Sequence, residues 1–374
     1  MNLSLALVLV VLSQRVPLPP PGGPPPNAIG GISDYAGLAT YPGPTDGLRF
    51  LVSRLDTPRA ITTNAQGQSW VLTRGTDPDT SVVRFISGDS VYTWSTIAQP
   101  LNELGDLVVD SGGALFFTNT VRNAVDRIDH YGSPADLWVG LPIGMQCFPG
   151  YQPPCFEWGD ADGDQNRARF FGPVGLAIDT NGDLLVADEG NHTIRRVTPN
   201  RFVTKLFPSV PGFFPEKLVV DAPRNRLVVI NGELAIDAVT STGQITRIAG
   251  LSNGQGGVVV DGDASVARFG HASSVAVDAA GNIFVADSYV TGAFTWVGVI
   301  RHVVPGQTFR WGSYPTTVRT LPLTPAQMSI GQGFTWTSDA VLGAHLALSW
   351  LNGSTLAVSD PTRHTVRLVI WGFP

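Results

Sequence analysis

ARFFGPVGLAIDTNGDLLVADEGNHTIRRV, residues 168–197, reads as three strands in succession. GLAID alternates large and small residues and ends on an acid beside the Asn181-Gly182 turn. LLVAD answers it and closes on Asp188, and TIRRV follows after a short loop. Short alternating runs joined by an Asn-Gly pair are the signature of antiparallel hairpins. The same order returns in ARFGHASSVAVDAAGNIFVAD (267–287) and, more loosely, in LGDLVVDSGGALFFTNTVRNAVDRI (104–128). Self-similarity at a spacing of roughly 40–50 residues marks a repeated supersecondary unit that buries its apolar face only against its neighbours.

Two marks extend the alignment to six copies. The first is an alternating strand ending in a polar residue and a turn: AITTNAQG (60–67), LVVDSGG (107–113), LAIDTNG (176–182), LVVDAPRN (218–225), VAVDAAG (275–281) and LALSWLNG (346–353). The second is a strand closing on a polar residue: SWVLT, LFFTN, LLVAD, LVVIN, IFVAD and LAVSD. A third strand follows in every copy and a fourth in the best ones, such as GQITRIAG (243–250). Four strands per unit and six units predict an all-β, six-bladed β-propeller. The last copy leaves no room for a fourth strand before Pro374, and GGISDYAGL (30–38) resembles GQITRIAGL (243–251). The N-terminal segment is therefore expected to supply the outer strand of the sixth blade and remove an open edge.

Composition agrees. Of 374 residues 42 are Gly and 29 Pro, and only 14% are charged, which suits short buried strands joined by tight turns. The net charge is −6, and only Lys205 and Lys217 are lysines, so arginine supplies nearly all positive charge. A nucleic-acid partner, which calls for a clustered basic stripe and a positive balance, is not expected. Leu3 to Leu12 is apolar apart from Ser4. Ten residues are too few for a membrane span, which needs about 20, but match the core of a secretory signal. Residues 1–15 are thus expected to be a signal peptide or N-terminal anchor, 16–28 a Pro/Gly-rich linker, and 29–374 the propeller. An extracytoplasmic location, secreted or periplasmic, follows. Cys147 and Cys155 in MQCFPGYQPPC are expected to form a disulfide, with free buried thiols as the other reading.

The stretch FGPVGLAIDTNGDLLVADEGNHTIRRV resembles the NHL repeat family, with Pro173, Gly175, Asp179, Gly182, Asp188, Asn191, His192 and Arg195 in the family's places. Blade five keeps Asp278, Gly281, Asn282 and Asp287, and in blade six Trp350 or Leu351 replaces the Asp. The resemblance covers roughly residues 29–374 and implies the propeller fold, an architecture that hosts both enzymes and binding modules.

Several constellations compete for function. Asp160, Asp162 and Asp164, with Glu157, alternate like oxygen ligands for calcium, but Gly163 falls at the wrong loop position for an EF-hand, and the Asp-Gly turn recurs at Asp261-Gly262 and Asp46-Gly47. Loop-forming is the stronger reading, and no cofactor is expected. Asp188, Asp287 and Asp360 recur with Arg195, Arg301 and Arg367, which points to a structural clasp because an active site needs its groups once. His192 and His364 fill the family's loop slot. His271 and His345 enter adjacent blades on the channel side, two histidines without an evident third for a metal. No Ser, Cys or phosphate-binding motif stands out. Insertions at 139–169, 288–298 and 324–342 are expected to crowd one face and to bring Tyr151, Phe156, Trp158, Tyr289, Phe294, Trp296, Phe334 and Trp336 there. The favoured function is an exported, non-catalytic propeller that binds a peptide, protein or polysaccharide on that face. The alternative is a metal-dependent hydrolase or lyase, lactonase-like or amidating-lyase-like, in the central channel.

Overall fold

A computed structural model of the chain describes residues 29–36, 46–48, 55–87, 90–140, 158–251, 258–291, 295–304, 306–309, 312–314, 316–321, 323–325, 327–330, 334–337, 342, 344–352 and 355–372. Besides two short ribbons, these residues form six sheets in chain order, antiparallel but for one added strand in the sixth, each starting from an inner strand: Ala60–Thr63, Leu104–Val109, Pro173–Ile178, Pro215–Asp221, Ser274–Val277 and Ala347–Asn352. Each inner strand contacts the next, and the sixth contacts the first, so the sheets are the blades of a six-bladed propeller. No helix among the described residues is long and apolar enough to cross a membrane.

The first mark in the sequence is an Asx turn. Asp179 accepts from the backbone amides of Asn181 and Asp183, with Gly182 at φ +84° completing the reversal. Asp110 and Asn64 do the same work in blades two and one, while Asp278 in blade five accepts from the amide four residues on, that of Asn282. A side chain that bonds its own chain two residues on stabilises a tight hairpin wherever it recurs. The alternation of the strands, in turn, exposes two apolar faces per sheet. Six buried clusters result, each drawn from two neighbouring blades. One of them joins Ile61 and Val71 of the first blade to Ala357 and Val366 of the sixth.

The sixth sheet contains both ends of the described chain. Ile29–Ala36 pairs antiparallel with Thr365–Gly372, and Leu323–Pro325 adds a parallel strand outside it. The insertion near residue 290 also departs from the simple loop that the sequence suggested. It lengthens a hairpin instead, with Tyr289 opposite Val297 and Val290 opposite Trp296. Part of the 324–342 insertion likewise forms a ribbon, Gln327–Ile330 with Phe334–Thr337.

Four arginines are among the largest fully buried side chains: Arg84, Arg195, Arg301 and Arg367. Arg195 donates to Asp188 at 2.9 Å, to Asp162 at 2.7 Å and to the carbonyls of Ala161 and Arg169. Arg301 repeats this with Asp287 at 3.0 Å, Asp261 at 2.9 Å and the carbonyls of Val260 and Arg268. In each blade the guanidinium lies 5.3 Å from a buried ring, Phe170 or Phe269. A planar group with five donors is well suited to tie a strand to the connection that precedes it. In blades two and four the equivalent pair is Asn119 with Asp126 at 2.9 Å and Asn231 with Asp237 at 2.7 Å.

Candidate ligand site at the channel mouth

The connections into the blades and the loops joining second to third strands lie at one end of the propeller. Repeat residues knit this end together. His192 bonds the Phe213 carbonyl through Nδ1 at 3.0 Å, and His364 Nδ1 accepts from the amide of Thr57 at 3.2 Å. Both histidines thus join one blade's loop to the entry of the next, at positive φ of +54° and +57°. The family loop slot is structural here.

A different set of groups converges around blades four, five and six. Glu233 follows Gly232 on the loop of blade four, His271 enters blade five, and His345 enters blade six. His271 Nε2 stands 3.1 Å from a Glu233 carboxylate oxygen, and the His271 backbone amide donates to Asp287 at 2.9 Å. The two imidazoles meet edge to face at 4.8 Å. Trp296, at the start of the third strand of blade five, lies 5.7 Å from the His271 ring and 5.8 Å from that of His345, and is 41% exposed. Extension of the 283–304 hairpin therefore carries the indole out to the histidines.

Charge is unevenly compensated. The hydrogen bond to Glu233 raises the His271 pKa, and the same contact holds Glu233 below the usual carboxylate range. His345 is lowered, first by burial and then by His271. Glu216, second residue of the blade-four inner strand, is pushed up to about 8 by burial and by Glu233 and Glu189. Burial likewise raises Glu189 and lowers Arg59, which enters blade one. Perturbed groups gathered beside an exposed indole mark a functional-site candidate.

The aromatic residues singled out in the sequence separate. Trp296 joins the mouth. Trp158 is 54% exposed and stacks on Phe171 at 4.8 Å, beside blade three, where Asn191 holds the Gly159 carbonyl. Tyr289 is half-buried in the long hairpin. Phe334 and Trp336 lie on the 327–337 ribbon, while Tyr151, Phe156, Glu157, Phe294, Cys147 and Cys155 fall outside the described residues. The carboxylates weighed as calcium ligands, with loop-forming the stronger reading, have these partners: Asp160 with Lys205, Asp162 with Arg195, and Asp164 with the amide of Asn166. Among the described residues no three His, Cys, Asp or Glu side chains are grouped to hold a metal ion. Glu216, Glu233, Glu189 and Arg59 escape a sequence reading. Their one signal is a polar Glu216-Lys217 pair where blade three has Val174-Gly175.

Comparison with known proteins supports the fold. The NHL repeat model matches residues 170–197, the first three strands of blade three, so this blade carries an NHL repeat. Over 97 residues the chain is 33% identical to teneurin-4 of Homo sapiens, and equally to that of Mus musculus. The match takes 25% of this chain and spans 3% of the length of these relatives. An auxiliary nutrient binding protein from Bacteroides thetaiotaomicron superposes with a TM-score of 0.61 at 11% identity, over 92% of this chain and 77% of that one. A structural genomics protein of unknown function from the same species gives 0.58 at 14% identity, over 92% and 76%. A second auxiliary nutrient binding protein, from Bacteroides ovatus, gives 0.56 at 12%, over 92% and 77%. At these identities the likeness is one of fold.

Proposed function

We propose that this chain is an exported, non-catalytic binding propeller that holds a peptide or protein segment over the mouth of its channel, with Trp296 as the anchor. The observation that carries this reading is the exposed Trp296 indole set against His271 and His345, with the His271–Glu233 pair beside it. An aromatic anchor ringed by charges of both signs is complementary to a polypeptide, which offers apolar side chains, amines and carboxylates within a few ångströms. A rigid scaffold with its loops gathered at one end is where such anchors are commonly placed. Export rests on the apolar run Leu3–Leu12 and the proline-rich tether after it. Two structural neighbours are named as nutrient binding proteins, which is compatible with a binding role outside the cytoplasm.

The test is to pan a random peptide library against the purified chain and titrate the selected peptides by calorimetry. Trp296→Ala is expected to weaken them by about tenfold or more, equivalent to about 1.4 kcal/mol, without lowering the melting temperature. A library that yields no peptide sensitive to Trp296→Ala refutes the reading. The competing enzyme reading has the same cluster in its favour. It requires zinc or calcium to raise the melting temperature of the native chain and His271→Ala to abolish that rise.

A further inference from the structure

The outer rim carries a second feature, on different elements. The fourth strand of blade one, Ser90–Ile97, which carries the two-residue strand Gly47–Leu48 on its outer edge, and the turn after the third strand of blade two border an open groove of about 410 Å³. Trp94 and Tyr131 form its aromatic part, at 5.5 Å and nearly perpendicular. Trp94 is fixed from behind by Trp70 at 5.5 Å and Phe85 at 4.9 Å. The indole is therefore a preorganised wall that loses little freedom on binding.

Tyr131 is not needed to hold the turn. The Gly132 amide donates to the Trp94 carbonyl at 2.9 Å, and Ser95 Oγ donates to the Ser133 carbonyl at 2.7 Å. Backbone and serine dock the turn, while the Tyr131 ring stands 62% exposed above the groove. The remaining lining is Thr93, Ser95, Thr96, Gly132, Ser133 and Pro134, with no charged side chain and no Leu, Ile, Val or Met. Such a lining offers no charge to an anion or to the amines and carboxylates of a peptide. It suits a ring with an apolar C–H face and a hydroxyl edge, the surface that a neutral sugar presents to an aromatic wall.

We propose that this groove is a binding subsite for a neutral oligosaccharide, with Tyr131 and Trp94 as its stacking surfaces. The site lies on the first two blades and is independent of the mouth. Calorimetry of the full chain with cellohexaose, mannohexaose and the charged control hexagalacturonate tests it. At least one neutral hexasaccharide is expected to bind with a Kd of roughly 0.01–1 mM. Tyr131→Ala is expected to weaken it by about tenfold, while Tyr131→Phe retains it, since stacking needs the ring and not the hydroxyl. Thr96→Arg, on an exposed position of the same strand, fills the groove while leaving Trp94 and Tyr131 in place. Trp296→Ala leaves binding unchanged, and each variant melts with the wild type. The proposal is overturned if neither neutral hexasaccharide binds at about 5 mM, if only hexagalacturonate binds, or if binding survives both Tyr131→Ala and Thr96→Arg. Loss of sugar binding in Trp296→Ala alone also overturns it, and moves the sugar to the mouth.

Discussion

Blades three and five solve one packing problem differently from blades two and four. In the first pair a buried arginine joins its strand partner to the incoming connection. In the second, an Asn–Asp hydrogen bond stays largely within the blade. The connections differ in step. Blades three and five are entered through residues 140–172 and 251–273, whereas blades two and four are entered through 98–103 and 206–214. A long connection brings more backbone carbonyls into the rim, and a guanidinium has donors enough to satisfy them. A short one leaves an amide sufficient. Asn119 even reaches its incoming connection, at Gln99 Oε1, 2.5 Å away. The clasp is thus a device for anchoring loops, not a requirement of the propeller.

The largest expected effect comes from breaking the clasp on one side. Arg301→Met leaves Asp287 buried without its cation, along with two carbonyls, and should cost about 3–5 kcal/mol in denaturant unfolding. A loss below about 1 kcal/mol would show that the clasp is dispensable. Next is an exchange of one solution for the other. Asp188→Asn with Arg195→Asp rebuilds the blade-four pair in blade three, so it should cost less than the single arginine loss, about 1–2 kcal/mol. Proteolysis should then appear within residues 158–169, because the connection has lost its tie. Equal destabilisation by the exchange and by Arg195→Met would mean that the two pairs are not interchangeable.

Blades three and four also differ in how they treat a carboxylate at the rim. Asp162 is paired with Arg195, whereas Glu216 sits near two other carboxylates and is raised to about 8. Glu216 is protonated in the folded chain and ionised in the unfolded one between its ordinary value and about 8, so stability falls as pH rises through that window. Glu216→Gln removes the penalty. It should stabilise the chain by about 1 kcal/mol above pH 8 and leave it unchanged below about pH 4. Melting curves at the two pH values decide this, and a pH-independent gain would refute it. The smallest effect is expected at the exposed end of the clasp. Asp162→Asn keeps a hydrogen-bond acceptor for Arg195 and should change stability by about 0.5–1 kcal/mol. A larger loss would mean that Asp162 neutralises the buried arginine to a degree its 43% exposure does not suggest.

The clasp was readable in the sequence because Asp188, Asp287, Arg195 and Arg301 recur at fixed places in a repeat. Recurrence cannot reveal what happens once. His271 and Glu233 lie 38 positions apart, in different blades, and neither belongs to the repeat pattern. Trp94 and Tyr131 are separated in the same way, one on the fourth strand of blade one and the other on a turn of the next blade. The long hairpin at 283–304 was also hidden, since its extra residues read equally well as loop or strand until they pair across the sheet.

Residues close together in the chain fix the blade, through the alternating strands and the Asx turns at Asp110 and Asp179, and the recurrence of these marks counts the units. Which groups meet at the mouth and on the rim is set by the assembled ring. Closing the ring sets blades side by side at distances that no local pattern encodes. The pairing of His271 with Glu233, the raised Glu216 and the edge-to-face contact of Tyr131 with Trp94 arise from that packing.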